Sequence, residues 1–260
     1  MIHPQLLTTP TSGMLFDAER LEKPDDSLLD MAAWQMLNKI SGRANGRGQV
    51  AFIDAPFGQC ALRHYQRGGM VAWVTKDRYL WAGAECTRGF REFRLLAHLQ
   101  HLGLPVPAPI AAHYQRHGWY YRADLLTGYL RNVIPLAKYV AEGSFDTTMA
   151  VRVGECVAQF HAFGVFHADL NAHNIVIDAK QVWLLDFDRG KLCTPALIWR
   201  RANLMRLQRS MRKLGAVEIY GAAFNALWNN LQQSYQDHFY TLQKTALEQT
   251  QTLSQRQRSQ

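Results

Sequence analysis

Carboxylates are scarce in this chain. Its 260 residues carry 21 Asp and Glu against 29 Lys and Arg, a formal charge of +8 at pH 7. Such a balance predicts attraction to polyanions without choosing among nucleic acid, phospholipid and phosphorylated glycolipid. Long apolar runs are also missing. None approaches the roughly 18 residues of a membrane-spanning helix, and Met1-Ile2-His3-Pro4 does not open a standard secretory signal, so neither secretion nor spanning is expected. The four cysteines, Cys60, Cys86, Cys156 and Cys193, lack Cys-x-x-Cys spacing, which favours reduced structural thiols in the cytosol over a disulfide framework. Ten histidines form no zinc signature, and the chain has no internal repeat and no Walker phosphate-loop spacing.

What is present is a 48% hydrophobic fraction, enough for substantial cores, and a length that permits two lobes. The most informative stretch is His167-Ala168-Asp169, followed by Asn174 and then by Asp186-Phe187-Asp188. A kinase catalytic loop places an Asp to accept the proton of the attacking hydroxyl and an Asn five positions later to hold metal, and a separate Asp supplies the main metal carboxylate. Asp169 and Asn174 have that spacing. Residues 149–163 have helical apolar periodicity and stop at Gly164. Ile175-Val176-Ile177 and Val182-Trp183-Leu184-Leu185 predict a small hairpin that returns Asp186 beside the loop. Triphosphate oxygens repel a nucleophile unless divalent metal masks them, and hard oxygen ligands such as Asn174 and Asp186 suit magnesium. His167 is expected to support the loop by bonding backbone, and Asp188 reads either as a second metal ligand or as a structural partner of Arg189.

Upstream, residues 41–50 predict a glycine-rich turn in which Gly46 and Gly48 let backbone amides approach phosphates, although a plain β-turn explains them nearly as well. Arg63, in the strand-like Gln59–Tyr65 run, is the candidate phosphate clamp, or else a surface cation. Residues 89–99 predict a helix burying Phe93, Leu96 and Leu99, with Glu92 placed to pair with Arg63. Arg67-Gly68-Gly69 is a further candidate turn. Residues 111–115 and 119–126 predict another hairpin, ending at the expected adenine hinge and lobe boundary near Asp124-Leu125-Leu126.

Taken together, Gly46-Arg47-Gly48, Ala61–Gly69, Thr87–Phe93, His167–Asn174 and Asp186-Phe187-Asp188-Arg189-Gly190 resemble the Kdo kinase family. These are the 3-deoxy-D-manno-octulosonic acid kinases among the lipopolysaccharide-core kinases, and the resemblance runs from roughly Thr9 through Tyr240. It implies an α+β, bilobal protein-kinase-like fold with an antiparallel-sheet N-lobe and a mainly helical C-lobe. The expected divisions are a nucleotide-binding lobe at 1–126, a catalytic lobe at 127–245 and a flexible polar tail at 246–260. The implied reaction is transfer of the γ-phosphoryl group of ATP, with Mg²⁺, to the 4-hydroxyl of Kdo on Kdo-lipid IVA. By the same resemblance Asp169 is the catalytic base, Asn174 and Asp186 are metal ligands, and Arg63 with Glu92 is the nucleotide-positioning pair. The implied location is peripheral, on the cytoplasmic side of the inner membrane, with association to anionic lipid but no nucleic acid and no protein partner.

Departures from protein kinases favour a small or glycolipid acceptor. Ala168 replaces the arginine of His-Arg-Asp, Asn171 takes the place of the loop lysine, Asp188 replaces the glycine of Asp-Phe-Gly, and an Ala-Pro-Glu segment is missing. A kinase of another sugar or small-molecule hydroxyl, or a non-catalytic scaffold binding membrane or RNA, stays open on residue chemistry alone. Residues 198–214 predict a basic helix whose Leu204, Leu207, Met211 and Leu214 fit core packing better than a membrane face, while Trp199 suits an interface. Residues 216–240 predict one further helix.

Overall fold

The computed structural model describes residues 2–44, 49–66 and 77–258. The chain divides into two compact units, Met1–Arg131 and Asn132–Gln260.

The first unit is built on an antiparallel sheet. Its strands are β1 (Pro4–Thr8), β2 (Ser12–Asp17), β3 (Ile40–Ala44), β4 (Gln49–Ala55), β5 (Gly58–His64), β6 (Tyr79–Leu80), β7 (Pro109–His117) and β8 (Tyr120–Gly128). They pair in the order β1-β2-β7-β8-β5-β4-β3, with β6 beside β8. On one side a 3₁₀ turn at Asp26–Leu29 and helix α1 (Met31–Met36) bury Leu28, Leu29 and Trp34 against Phe16, Ile53, Leu62 and Leu126. Helix α2 (Arg88–His101) buries Phe90, Phe93, Leu96 and Leu99, the expected stripe extended by one turn. It starts against the sheet because Gly89 has no side chain: a Cβ there would lie 2.9 Å from the carbonyl oxygen of Asp124.

In the second unit, helix α3 (Leu136–Ala141) precedes α4 (Thr147–Ala162). Asp146 caps α4 by accepting from the Met149 amide at 2.8 Å. Strands β9 (Ile134–Pro135), β11 (Ile175–Ile177) and β12 (Val182–Leu184) form a three-stranded sheet, and β10 (Val165–Phe166) pairs with β13 (Lys191–Leu192). Helices α5 (Leu197–Lys213), α6 (Ala216–Tyr220) and α7 (Ala223–Arg258) complete the unit. Helix α4 lies tightly against α7 at Gly154, where any side chain would strike the carbonyl of Leu231.

Several expectations need adjustment. Residues 124–126 lie inside β8, paired with β5 through Arg63↔Leu125 and Leu62↔Leu126, so the chain leaves the sheet only after Gly128. Gly42 is a strand residue of β3 at a register shift, not part of a turn. The single helix expected over 216–240 is two, because Gly221 adopts φ 54° and breaks it. Beyond Tyr240 the backbone stays helical to Arg258.

Candidate active site

Helix α4 is capped at its C-terminus by Phe163, and Gly164 turns the chain with φ +72°; a side chain there would strike the Cys193 carbonyl. The reversal aims β10 into the segment 167–174. The β11–β12 hairpin then pairs Ile175↔Leu184 and Ile177↔Val182, closed by the Leu185 amide donating to the Asn174 carbonyl at 2.9 Å. That closure sets Asp186 just after β12, the strand that ends beside Asn174. Asp186 itself has φ +61°, a left-handed backbone that a short polar side chain tolerates better than most.

Hydrogen bonds inside the loop fix its shape. Asn174 Nδ2 donates to the Asp169 carbonyl at 2.9 Å, leaving the oxygen end of its amide for other use. Asn171 Nδ2 reaches the same carbonyl at 3.1 Å, and its Oδ1 accepts from the amides of His173 at 2.8 Å and Asn174 at 3.2 Å. Asn171 therefore knits the loop internally at the position where protein kinases place lysine. A cation does approach Asp169 from another element: Arg206 Nη1 of α5 lies 3.4 Å from Asp169 Oδ1.

His167 supports the loop as expected. Its Nδ1 accepts from the Asp169 amide at 3.1 Å, so the neutral ring carries its proton on Nε2 and donates to the Leu185 carbonyl at 2.9 Å. Burial pushes the His167 pKa down, which favours this neutral form. Phe187 is fully buried, stacked 5.7 Å from Phe160 and 4.9 Å from the His167 ring, and it anchors the Asp186 turn into the core. Asp188 Oδ2 stands 4.0 Å from Arg189 Nε, the outer limit of an ion pair.

Behind the loop runs a polar chain that sequence reasoning missed. Arg200 donates to the Tyr235 hydroxyl at 3.0 Å, and that hydroxyl meets His161 Nδ1 at 2.9 Å. His161 Nε2 faces Asn203 Oδ1 at 3.3 Å, and Asn203 Nδ2 donates to the His167 carbonyl at 3.0 Å. Each link has one available donor, so the polarity runs from Arg200 to the loop. Burial drives the His161 pKa down to about 3. The signal that would have found the chain is Asn203 itself, an amide within the apolar stripe of Leu204, Leu207 and Met211.

In the first unit, Arg63 of β5 is ion-paired with Glu92 of α2, and Glu92 is only 4% exposed. Tyr65 donates to Glu92 Oε2 at 2.6 Å, and its ring lies 4.5 Å beneath the Arg63 guanidinium. Burial, followed by the Glu92 charge, drives the Tyr65 pKa well up, so the phenol stays protonated and donating. Gly46, Gly48 and the Arg67-Gly68-Gly69 turn lie outside the described residues. Among the described residues no group of three or more His, Cys, Asp or Glu is placed to hold a metal. A magnesium ion held by one carboxylate, one amide oxygen and phosphate oxygens would need no such group.

Comparison with known proteins agrees with this geometry. A 3-deoxy-D-manno-octulosonic acid kinase of Xanthomonas axonopodis pv. citri is 50% identical over 203 residues, covering 78% of this chain and 81% of that protein. The protein of the same name from Xylella fastidiosa is 46% identical over 208 residues, with the same coverage. Among solved structures, WaaP in complex with acyl carrier protein superposes with a TM-score of 0.52 at 12% identity, covering 87% of this chain and 90% of that one. That complex corrects the expectation that no protein partner is involved, since a protein of this fold is held by one. Charge offered no basis for the expectation, because a basic surface attracts an anionic protein as it does an anionic lipid. With the family model for lipopolysaccharide kinases (Kdo/WaaP) matching residues 31–237 and the loop geometry in place, the chain belongs to the lipopolysaccharide kinase (Kdo/WaaP) family.

Proposed function

We propose that this protein is an ATP-dependent Kdo kinase that phosphorylates the 4-hydroxyl of Kdo on Kdo-lipid IVA. The observation that carries the reading is the hydrogen-bonded loop that joins Asp169 to Asn174, with Asp186 delivered by the hairpin that the same loop opens. Asp169 would orient the acceptor hydroxyl and take its proton as the oxygen attacks the γ-phosphorus and ADP departs. Magnesium, when bound, masks the charge of the phosphate oxygens; the Asn174 amide oxygen and the Asp186 carboxylate are the hard donors that would hold it. Arg63, held by Glu92, would position the nucleotide phosphates. In this reading the first unit is the nucleotide-binding lobe and the second the catalytic lobe. No described helix is long and apolar enough to cross a membrane, so reaching a lipid-borne acceptor calls for peripheral attachment, placed here at the cytoplasmic side of the inner membrane.

The test is incubation with ATP, Mg²⁺ and Kdo-lipid IVA beside lipid IVA lacking Kdo, followed by product mass and phosphate position. Phosphate on the 4-hydroxyl of the Kdo-bearing acceptor alone is the expected result. Asp169→Asn should keep the fold and ATP affinity while lowering turnover by roughly 10²-fold or more. Phosphate on another hydroxyl would overturn the regiochemistry, and wild-type turnover in the variant would remove Asp169 as the base.

A further inference from the structure

The solvent face of helix α5 has a composition that the phosphoryl-transfer chemistry does not require. Between Arg189 and Val217 the chain carries eight Lys and Arg and no carboxylate. Within α5 the apolar residues segregate: Leu204, Leu207 and Met211 are buried, yet Ile198 is 85% and Met205 56% exposed. Ile198, Ala202, Met205 and Arg209 recur at helical spacing on one stripe, with exposed Arg201 and Arg212 beside it. The segregation is thus two-sided, with a core stripe and an outward stripe in which apolar side chains sit among cations. A solvated helix face has no need of an isoleucine left almost fully in water.

The geometry points to this α5 face as the surface that seats the protein on an anionic phospholipid bilayer. Charge complementarity identifies the occupant: cations flank the apolar stripe with no acid on the helix, as in helices that lie in the headgroup plane and sink short apolar side chains below it. The same helix carries Arg206, whose contact with Asp169 ties its orientation to that of the catalytic loop. A bilayer bound along the stripe therefore lies next to the base. The inference rests on the reading that the acceptor is embedded in lipid, and it assigns which surface meets that lipid.

Flotation of the full chain with vesicles tests it, using phosphatidylethanolamine mixed with phosphatidylglycerol against phosphatidylcholine alone. Preference for the anionic vesicles by about tenfold or more, weakened by salt, is expected. Ile198→Asp with Met205→Asp, and separately Arg201→Glu with Arg209→Glu, should each cut partition by about tenfold or more. Both should leave the thermal melt and turnover of a short-chain, water-soluble Kdo acceptor unchanged while raising KM for vesicle-embedded acceptor. Equal partition on anionic and neutral vesicles, or variants that float like wild type, would overturn the assignment. So would capture by an acidic protein without vesicle binding. Because flotation needs no acceptor, absence of turnover with either acceptor would count against the Kdo reading and leave the docking result to stand on its own.

Discussion

Arg206 and Asp169 meet across two elements: the guanidinium on α5 stands 3.4 Å from Asp169 Oδ1, and both side chains are about half exposed, at 50% and 45%. A pair this open adds little to stability, about 0–1 kcal/mol, because water screens it. Its place beside the proposed base suggests a test of another use. Asn171 spends both ends of its amide inside the loop, and the cation that reaches Asp169 comes from α5. Arg206→Ala should lower kcat about tenfold, close to 1.4 kcal/mol of barrier, with the KM for ATP and the thermal midpoint nearly unchanged. Arg206→Lys should recover most of the rate. An alanine variant that loses stability instead of kcat would assign the pair a structural role.

The Arg63–Glu92 pair calls for the opposite expectation. Its side chains are 19% and 3% exposed, and Tyr65 adds a second bond to the same carboxylate oxygen. Removing one member takes the ion-pair partner from the other, which for a buried pair typically costs about 3–5 kcal/mol, whereas replacing both with apolar groups is far milder. Glu92→Ala should therefore destabilise the protein by about 3 kcal/mol in urea titration. Arg63→Met combined with Glu92→Leu should regain much of that while ATP affinity stays weak. A double variant with wild-type ATP affinity would restrict the pair to holding α2 on the sheet.

Asn203 offers a more local test. Its amide brackets His167, donating to the carbonyl at 3.0 Å and lying 3.4 Å from the amide nitrogen, and it is 2% exposed. Asn203→Ala takes the side-chain partner from the His167 carbonyl and from His161 Nε2, a loss of roughly 2–3 kcal/mol by denaturation. Turnover should fall as well, since His167 holds the Asp169 amide. Asn203→Asp would keep the acceptor for His161 but cannot donate to the His167 carbonyl, so it should rescue less than Asn203→Gln. Equal stability of the alanine variant and wild type would show that the polar chain does not support the loop.

The catalytic segment was legible because its information is local. A helix that ends in glycine, a short loop and a hairpin are specified by neighbouring residues, and they fix where Asp169, Asn174 and Asp186 stand. Glu92 was legible for a related reason, since helical periodicity placed it beside the buried stripe of α2 and kinase spacing paired it with Arg63. The contributions of Asn203, Tyr235 and Arg206 were hidden because each comes from a helix far along the chain, and no periodicity reports which distant group a polar side chain faces. The double character of α5 was lost to an either-or reading of its apolar residues. Leu204, Leu207 and Met211 do pack inward, as expected, but Ile198 and Met205 lie on the opposite face. At β8 the error was one of strand length: Asp124-Leu125-Leu126 reads as an end, and pairing with β5 carries the strand past it.

Acid should loosen the second unit before its carboxylates titrate. His161 and His167 are both buried, and burial is the main cause that lowers each pKa, to about 3 for His161. Each ring also spends a nitrogen as an acceptor: protonation of His167 Nδ1 would turn a proton against the Asp169 amide, and protonation of His161 Nδ1 would reverse its bond with Tyr235. In the unfolded chain both titrate near 6.5. Below that pH the unfolded state binds more protons than the folded one, so stability is full above about 6.5 and falls as pH drops toward the folded values. The slope approaches about 1.4 kcal/mol per pH unit for each histidine. His64 acts with the opposite sign: its hydrogen bond to Asp124 raises its pKa, so its contribution is present at low pH and is lost as pH rises through that raised value. Urea denaturation at pH 7.5, 6.5, 5.5 and 4.5 should show the decline, and His161→Gln should flatten it by about one histidine's share between pH 6 and 4.5, whatever its effect at neutral pH. An unchanged slope in that variant would mean that His161 takes up no proton on unfolding and that the chain from Tyr235 to Asn203 does not hold it neutral.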